Sequence, residues 1–473
     1  MIDTEQLLND LPDRRWFGGK GRAIGEVQVA DEAIIDDGPP ALVAGLVKVI
    51  FSDGQEDHYN LLLLVSEDGS QRDAFEDVDR LRLIGEMMAN GNTIKGDRGA
   101  FHFGGPGLDP MSPPGRRSAR PLETEQSNSS VILDDDVIVK VFRRVEMGEN
   151  PDLELNRLLT NEGFDAVPPH VGEMLYEGTI DGDDASFDLG IAQKFIHGGT
   201  EGWRVALDSV LELYDGVVGI GPIDDADAEV EARSGGLFEA FQELGDVTAS
   251  IHVLFARDGL EPEIASEPID AFDLGSWADT ARRSLRNLLD RDIPELQEVA
   301  PAIEERIERL NAIPEPGYKT RLHGDYHLGQ VLHTARGWIV LDFEGEPARS
   351  LETRRAKHSP LRDTAGMLRS FSYAALAGLF ERAAPESDEW AALEPWAEAW
   401  ESAARDRFMS GYLGKVHEAR LLPADRDSLG VMLDVFEIDK ALYELGYELS
   451  HRPDWLRIPL RGIHRVIERG AAP

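Results

Sequence analysis

Residues 321–346 read RLHGDYHLGQVLHTARGWIVLDFEGE, and this stretch decides the architecture of the second half of the chain. It contains two short apolar runs rich in β-branched and aromatic residues, Val331-Leu332-His333 and Trp338-Ile339-Val340-Leu341. Thr334-Ala335-Arg336-Gly337 stands between them, with a glycine where a tight turn needs one. The pattern predicts a β-hairpin with polar residues at its open end.

The open end of this hairpin gathers oxygen-bearing side chains. Strand pairing brings Gln330 roughly opposite Asp342, while Asp325 lies in the glycine-punctuated loop before the first strand. Converging carboxylate and amide oxygens suit Mg²⁺. The group fits phosphoryl transfer, which asks a protein chiefly for positioning and charge neutralisation. Gln330 and Asp342 would hold the metal, and Asp325 would orient the acceptor hydroxyl and take its proton.

Neighbouring residues raise two further questions. His323 and His327 have a zinc-like spacing of four, but the glycines around them disfavour a helix and the Glu of a zinc-protease motif is missing. We therefore interpret His323 as an internal hydrogen-bonding residue that props the loop. Glu344 and Glu346 are candidates for a second metal or for the substrate, and the alternative is that they bond loop amides.

Composition narrows the function classes. The 473 residues carry a formal net charge of −41, which disfavours nucleic-acid binding because phosphate contacts need clustered lysine and arginine. The chain has no cysteine, so disulfides and thiolate metal sites are excluded. No apolar run is long enough for a membrane span, and no signal peptide is visible. We expect a soluble, cytoplasmic protein whose acidity reflects either a solubilising surface or adaptation to high salt.

Hydrophobic periodicity predicts an α+β chain that is β-rich first and helical second, with the hairpin set into the helical part. We expect strands over residues 26–30, 41–51, 59–65, 131–133, 137–142 and 187–196. We expect helices over residues 4–11, 77–89, 203–214, 237–256, 277–289, 295–310, 364–377, 390–412 and 428–450. Residues 104–121 are predicted to be a linker and the acidic run 223–233 an exposed loop. We divide the chain into segments 1–103, 104–197 and 198–473.

A second hairpin upstream carries an unusual lysine. Lys140 lies inside an apolar strand after the turn Asp134-Asp135-Asp136, so it either points to solvent from an edge or faces the phosphates of a nucleotide. A helix that opens at Asn150 has Glu154 in its first turn, either for the helix dipole or as a partner of Lys140, as in the kinase lysine–glutamate pair. The small polar residues that would cover the phosphates are Gln126, Ser127, Asn128, Ser129 and Ser130.

Near the C-terminus, four polar or aromatic residues share one helical face. Lys440, Tyr443, Glu444 and Tyr447 recur at i, i+3, i+4 and i+7. A sugar site wants such a face, with aromatic planes and fixed donors and acceptors. The alternative is a solvated charged face on which Lys440 pairs with Glu444.

An ordered set of motifs along most of the chain resembles the maltokinases, within the aminoglycoside-phosphotransferase-like branch of the eukaryotic-type kinases. In order these are RWFGGK (15–20), EQSN (125–128), KVFRR (140–144), NPD (150–152), HGDYHLGQ (323–330), DFEGEP (342–347), SPLRD (359–363), MLRS (367–370), YE (443–444) and RPDW (452–455). The resemblance implies a bilobal protein-kinase-like fold, with an N-terminal cap and a nucleotide-binding lobe followed by a helical lobe.

The resemblance also implies an activity and residue roles. The activity is transfer of phosphate from ATP, with Mg²⁺, to the anomeric hydroxyl of maltose, which gives maltose 1-phosphate for α-glucan (glycogen-type) synthesis, often beside a trehalose synthase. Asp325 matches the catalytic base, Gln330 and Asp342 the metal ligands, and Lys140 the phosphate-binding lysine. Gln193, Phe195 and Ile196 match the hinge near adenine. The residues assigned to the sugar are His323, Glu346, Lys440, Tyr443, Glu444, Tyr447, Glu448 and Arg452.

Two rival functions remain. One is a kinase for another sugar, such as glucosamine; those kinases tend to carry Asp-Gly-Asn after the Phe that follows the metal aspartate, whereas this chain has Glu344-Gly345-Glu346 and so favours maltose. The other is a nucleotide-binding regulatory protein without turnover, against which the intact Asp325, Gln330, Asp342 and Lys140 argue.

Overall fold

The computed structural model describes residues 2–105, 118–122, 127–217, 226–347, 349–416 and 420–471. The chain forms two compact units. The first comprises Met1–His197 and Pro347–Arg354, and the second comprises Gly198–Glu346 and Arg355–Pro473. The division into three segments stays a prediction.

Two antiparallel sheets make up most of the described part of the first unit. The first sheet contains β1 (Ile24–Asp36), β2 (Ala41–Phe51), β3 (Glu56–Val65), β4 (Gln71–Asp73) and β10 (Arg144–Val145). The second runs in the order β5 (Thr93–Lys95), β6 (Gly99–Gly104), β11 (His170–Ile180), β12 (Asp183–Lys194), β9 (Val137–Phe142), β8 (Asn128–Leu133) and β7 (Ala119–Leu122). The helices are α1 (Thr4–Asp10), α2 (Val78–Asn90), α3 (Pro151–Asn161) and the short α8 (Leu351–Arg355).

Apolar side chains from both sheets share one core, which includes Leu62 of β3 and Val139 of β9. Asn60 of β3 reinforces the join, because its side-chain amide donates to the carbonyls of Phe142 and Leu189 in the second sheet. Such buried amide–carbonyl bonds fix the register in which two sheets can pack. The core of this unit therefore spans its first and second sheets.

The strand predicted at residues 41–51 coincides with β2, whereas β1 is longer than the prediction of 26–30. Asp31 explains the difference. Its buried carboxylate accepts the backbone N–H groups of Asp97 and Arg98 and the hydroxyl of Tyr176, so an acidic residue is satisfied inside the strand. Within the predicted linker 104–121, residues 119–121 instead belong to β7, which pairs with β8; residues 106–117 lie outside the described part.

Helices dominate the second unit. They are α4 (Gly202–Val217), α5 (Ala226–Phe255), α6 (Ala271–Leu289), α7 (Pro294–Leu310), α9 (Leu361–Arg382), α10 (Asp388–Val416), α11 (Arg426–His451) and α12 (Arg457–Ala471). The prediction of an exposed loop over residues 223–233 is wrong from residue 226 onward. Asp227 and Glu229 lie in the first turn of α5, where the helix dipole favours acidic side chains. Residues 223–225 lie outside the described part.

The predicted hairpin of the second unit is confirmed. β16 (Val331–Thr334) and β17 (Gly337–Val340) pair Val331 with Val340 and Thr334 with Gly337, which leaves a two-residue turn. β13 (Thr200–Glu201) adds a third strand, and β14 (Glu267–Pro268) pairs separately with β15 (Tyr318–Lys319). In the part of the chain that the structure describes, none of the helices is both long and apolar enough to cross a membrane.

Candidate active site

Asp363, at the start of α9, clamps the loop that carries Asp325. Its two carboxylate oxygens accept the backbone N–H groups of His323 at 2.8 Å and Gly324 at 3.0 Å. His252 lies 3.2 Å from the same carboxylate. Burial opposes ionisation, but the hydrogen bond and charge of His252 and the Gly324 amide together lower the pKa of Asp363. Gly324 has a φ of +87°, a left-handed conformation that glycine adopts without strain.

His323 is an internal support of this loop. Its Nε2–H donates to the carbonyl of Leu341 at 2.8 Å, and its Nδ1 accepts the N–H of Asp325 at 3.4 Å. The ring is 3% exposed and packs against Phe343. Because both ring nitrogens are used within the loop, the interpretation as a prop fits the structure and the assignment of His323 to the sugar does not.

Asp325 faces a lysine from another element. The Nζ of Lys440 in α11 lies 3.3 Å from Asp325 Oδ1 and 3.4 Å from Glu346 Oε1. Burial lowers the pKa of Lys440, but the charges of Asp325 and Glu346 outweigh it and raise that pKa above its ordinary value. The lysine therefore stays an ammonium that links the two carboxylates. His327 also approaches Asp325, with Nε2 3.9 Å from Oδ2, and burial lowers its pKa.

Gln330 and Asp342 converge at the open end of the hairpin, as the sequence predicts. The N–H of Leu341 donates to the carbonyl of Gln330 at 2.9 Å, and the two side chains meet at 3.3 Å between Gln330 Nε2 and Asp342 Oδ2. Asp342 has a φ of +61°, which takes its carboxylate out of the strand direction. With the amide turned to present Oε1, this pair offers the hard oxygen ligands that Mg²⁺ prefers.

The carboxylates on the predicted sugar face of α11 form salt bridges with arginines outside that face. Arg369 of α9 donates to Glu444 at 2.8 Å and 3.0 Å, whereas the alternative of a solvated face paired Glu444 with Lys440. Burial raises the pKa of Glu444, against the opposing charge of Arg369. Arg452 donates two bonds to the buried Glu448, at 2.7 Å and 2.9 Å.

Tyrosine hydroxyls and rings complete this face. Tyr373 of α9 donates to Glu448 at 3.2 Å, and burial raises the pKa of Tyr373. Tyr443 and Tyr447 stay exposed at 49% and 46%. The face therefore offers two open rings beside carboxylates that already have cationic partners.

Lys140 in the first unit is buried rather than directed to solvent. Its Nζ lies 3.1 Å from Asp152 Oδ2, an acidic residue in the first turn of α3. Asn156 donates to the other oxygen of Asp152 at 2.7 Å, and the side chain of Asn150 caps the helix by accepting the N–H of Asp152. Glu154 is buried in the same turn. In the sequence Asp152 is part of the NPD motif, but nothing there identifies it as a partner of Lys140.

The polar stretch before Lys140 is largely strand rather than loop. Asn128, Ser129 and Ser130 lie in β8, with Ser130 opposite Lys140. Ser129 points to the other side, where its hydroxyl accepts from the buried Arg143 at 2.7 Å. Arg143 in turn pairs with Asp73. The Ser129 hydroxyl thus takes part in a structural ion network, and its assignment to the phosphates stays a prediction.

The remaining residues of the predicted nucleotide site occupy different positions. Gln126 lies outside the described residues. The hydroxyl of Ser127 accepts from the Asn128 amide at 3.3 Å. Gln193 is buried near the end of β12, and Phe195 follows the strand, where its N–H donates to the carbonyl of Asp136 at 2.8 Å. Ile196 comes next and is half-buried.

Several residues of the site were not assigned roles from the sequence. Asp363 and Arg369 lie within the SPLRD and MLRS motifs, so the motifs flagged them, but periodicity gives no reason for their chemistry. Tyr373 had no signal at all. These residues act through contacts between α9, α11 and the loop, which are distant in the sequence.

Comparison with known proteins confirms the resemblance and the fold class. Residues 11–94 match the family model of the Maltokinase N-terminal cap domain. The chain is 24% identical to the glucosamine kinase of Mycolicibacterium smegmatis, over 75% of this chain and 81% of that protein. It is 25% identical to the glucosamine kinase of Streptacidiphilus jiangxiensis, over 93% of this chain and 87% of that protein.

Solved structures agree on the architecture. A glucosamine kinase in complex with glucosamine, ADP and inorganic phosphate superposes with a TM-score of 0.69 at 19% identity, covering 98% of this chain and 100% of that chain. A second crystal form of glucosamine kinase gives a TM-score of 0.70 at 20% identity, with 97% of both chains covered. The predicted α+β class, β-rich first and helical second, is confirmed.

Proposed function

We propose that this chain, which carries a maltokinase N-terminal cap over residues 11–94 and is similar to glucosamine kinases along most of its length, is an ATP-dependent sugar kinase. The observation that carries the proposal is the loop around Asp325. That loop is clamped by Asp363 through two backbone bonds and leads directly into the Gln330–Asp342 pair. A pre-positioned carboxylate next to hard metal ligands is what phosphoryl transfer requires.

In the proposed reaction Asp325 accepts the proton of the acceptor hydroxyl. The hydroxyl oxygen forms a bond to the γ-phosphorus, the bond from that phosphorus to the β,γ-bridging oxygen breaks, and ADP leaves with the electron pair. Lys440, bound to both Asp325 and Glu346, holds the base in a fixed orientation. Fixed geometry of this kind supplies much of the rate enhancement of such enzymes.

Gln330 and Asp342 are the residues that would hold Mg²⁺. When bound, the ion neutralises charge on the nucleotide phosphates. In the first unit Lys140, held by Asp152, is the proposed phosphate-binding cation, with Glu154 in the same helical turn. Ser127 and Asn128 are proposed for the phosphates, and Gln193, Phe195 and Ile196 for the adenine.

Maltose, phosphorylated at its anomeric hydroxyl to maltose 1-phosphate, is the substrate we propose first. Three carboxylates assigned to the sugar have cationic partners: Glu346 with Lys440, Glu444 with Arg369 and Glu448 with Arg452. An ammonium-bearing sugar would have to displace one of these cations, whereas a neutral sugar can bond to them and stack on Tyr443 and Tyr447. A role in α-glucan synthesis and an association with trehalose synthase stay predictions.

Glucosamine is the second candidate, because the relatives with which this chain aligns are named glucosamine kinases. A coupled ATP-consumption assay with Mg²⁺ and maltose, glucose, glucosamine and trehalose separates the two. We expect the highest kcat/KM with maltose. A higher kcat/KM with glucosamine would show that the proposed substrate is wrong and that the proposed kinase activity is right. ATP binding without turnover of any sugar would instead support a regulatory protein.

A further inference from the structure

A row of aromatic side chains begins at the predicted sugar face of α11 and continues along the second unit. Tyr443 and Tyr447 lie one turn apart on α11, about 6 Å along the helix axis, and both are about half exposed. The Nζ of Lys440 lies 5.1 Å from the centre of the Tyr443 ring, and the same Nζ contacts Asp325, so Lys440 links the row to the proposed base. The row therefore begins where the proposed reaction takes place.

Beyond Tyr447 the row continues without a break in contact. The guanidinium of Arg452 lies 5.7 Å from the Tyr447 ring and 4.3 Å from the Trp455 ring. Trp455 stacks on Phe380 with ring centres 5.8 Å apart and an interplanar angle of 4°. Phe380 meets Trp390 edge-on at 5.0 Å.

The last two rings line a cavity of about 870 Å³ bordered by α9, α10 and α12. Its size is within the range of small-molecule sites. The three arginines of its wall have acidic partners: Arg461 lies 3.2 Å from Glu394 and 2.5 Å from Glu398, Arg465 contacts Glu401, and Arg457 lies 2.6 Å from Glu386. These pairs keep fixed donors and acceptors in the wall without an excess of positive charge.

This chemistry selects one class of ligand. The rings of Tyr443 and Tyr447 offer flat apolar surface, and the ion pairs of the cavity wall offer hydrogen bonds, which together match the two faces of a sugar ring. A phosphorylated or nucleotide ligand would need unpaired cations, whereas here Arg461 and Arg465 have acidic partners. A neutral ligand rich in hydroxyl groups fits best.

We propose that the helical unit binds a linear, neutral gluco-oligosaccharide, whose reducing end lies at Asp325 and whose distal sugars extend over Tyr443, Tyr447 and Trp455 into the cavity lined by Phe380 and Trp390. The inference rests on the proposed function for the identity of the acceptor end. It extends that function from a disaccharide to longer chains, and it assigns the cavity a role of its own.

The test is a binding titration of the full chain, without nucleotide, against maltose, maltotriose, maltopentaose and maltoheptaose. We expect Kd to fall about tenfold from maltose to maltopentaose through the added ring contacts. Phe380→Ala removes a ring of the cavity wall, and Ser402→Tyr fills the cavity from an exposed position at its rim. Ser402→Tyr deletes no core contact, so it keeps the test valid if Phe380→Ala unfolds, which thermal unfolding reports.

Both variants are expected to lose the dependence of Kd on chain length. A Kd that is the same for all four sugars in the wild type, or a length dependence that survives Ser402→Tyr, overturns the inference. Turnover of maltose in the same preparations separates the two proposals. Length-dependent binding without turnover removes the kinase function and keeps the oligosaccharide site, whereas turnover without length dependence does the reverse.

Discussion

Asp363→Asn tests whether the loop of Asp325 is held by the contacts that the structure describes. The aspartate accepts two backbone N–H groups, at 2.8 Å and 3.0 Å, and lies 3.2 Å from His252. An asparagine of the same shape has one oxygen, so one of these buried donors loses its acceptor. An unmet buried donor costs roughly 1–3 kcal/mol, and hydrogen bonds to a charged group are worth about 1.5–3 kcal/mol each. We expect Asp363→Asn to lower the free energy of unfolding by about 2–4 kcal/mol.

The effect on turnover is expected to exceed the effect on stability. A shift of the loop by about 1 Å misplaces Asp325 and can lower kcat on the order of 100-fold. The assays are calorimetric unfolding and steady-state kinetics of the coupled reaction. Asp434→Asn is the matched control, since Asp434 is also a buried aspartate in the helical unit but pairs with Arg306 and Arg469, away from the loop. A normal kcat and unfolding temperature in Asp363→Asn would refute the reasoning.

The pH dependence of Asp363 gives a second readout of the same clamp. Its pKa is lower in the folded chain than the usual value near 3.9 in an unfolded one. A lowered folded pKa means that the carboxylate stabilises the fold above about pH 4 and that this stabilisation fades as the pH falls below that value. Asp363→Asn is therefore expected to lessen the acid-induced drop in unfolding temperature.

Four further predictions follow from the same contacts. Asp325→Asn is expected to abolish turnover while calorimetry still detects ATP binding; a near-normal rate would remove Asp325 from the base role. Lys140→Met is expected to raise the KM for ATP about tenfold or more, equivalent to ~1.4 kcal/mol, whereas the control Lys48→Met, at a buried lysine paired with Asp181, leaves it unchanged; equal effects would contradict a phosphate role. Burial opposes ionisation of Glu437, but the charges of Arg405 and Arg469 outweigh it and lower the pKa of Glu437 to about 2. The ionised Glu437 therefore stabilises the fold above about pH 4.3, and this stabilisation is lost as the pH falls toward 2. In Glu437→Gln the unfolding temperature is expected to depend less steeply on pH between these values, and an unchanged slope would contradict the role of the Arg405–Glu437 and Arg469–Glu437 pairs. Finally, the unfolding temperature of the wild type is expected to rise from low to molar KCl if the net charge of −41 reflects adaptation to salt, and no rise would favour the solubilising explanation.

Local pattern was sufficient where neighbouring residues settle the structure among themselves. The strand over residues 41–51 and the hairpin of β16 and β17 were predicted because apolar periodicity and a glycine turn act over a few residues. The convergence of Gln330 with Asp342 follows from the same pairing. The acidic start of α5 was missed, because acidity indicates a loop by composition while the helix dipole favours it in a first turn.

Contacts between side chains of elements that are distant in the sequence could not be predicted from local sequence patterns. The bond that Arg143 donates to the Ser129 hydroxyl, for example, had no signal in the sequence. The alternative of a solvated helix face paired Glu444 with Lys440 four residues earlier, but Arg369 of α9 donates to Glu444. Such choices depend on which charged groups burial brings within about 4 Å, where Coulomb attraction becomes strong.

The sequence by itself determined the β-rich first part, the helical second part, the hairpin of β16 and β17 and the convergence of oxygen-bearing side chains at its open end. Only the tertiary structure decided that Asp363 holds the loop of Asp325, that Lys440 links Asp325 to Glu346, and that Lys140 is bound by Asp152. The physical reason is one of range. Turns, strands and helices follow from short-range periodicity, whereas a buried ion pair between distant residues forms only when packing brings its members together away from water.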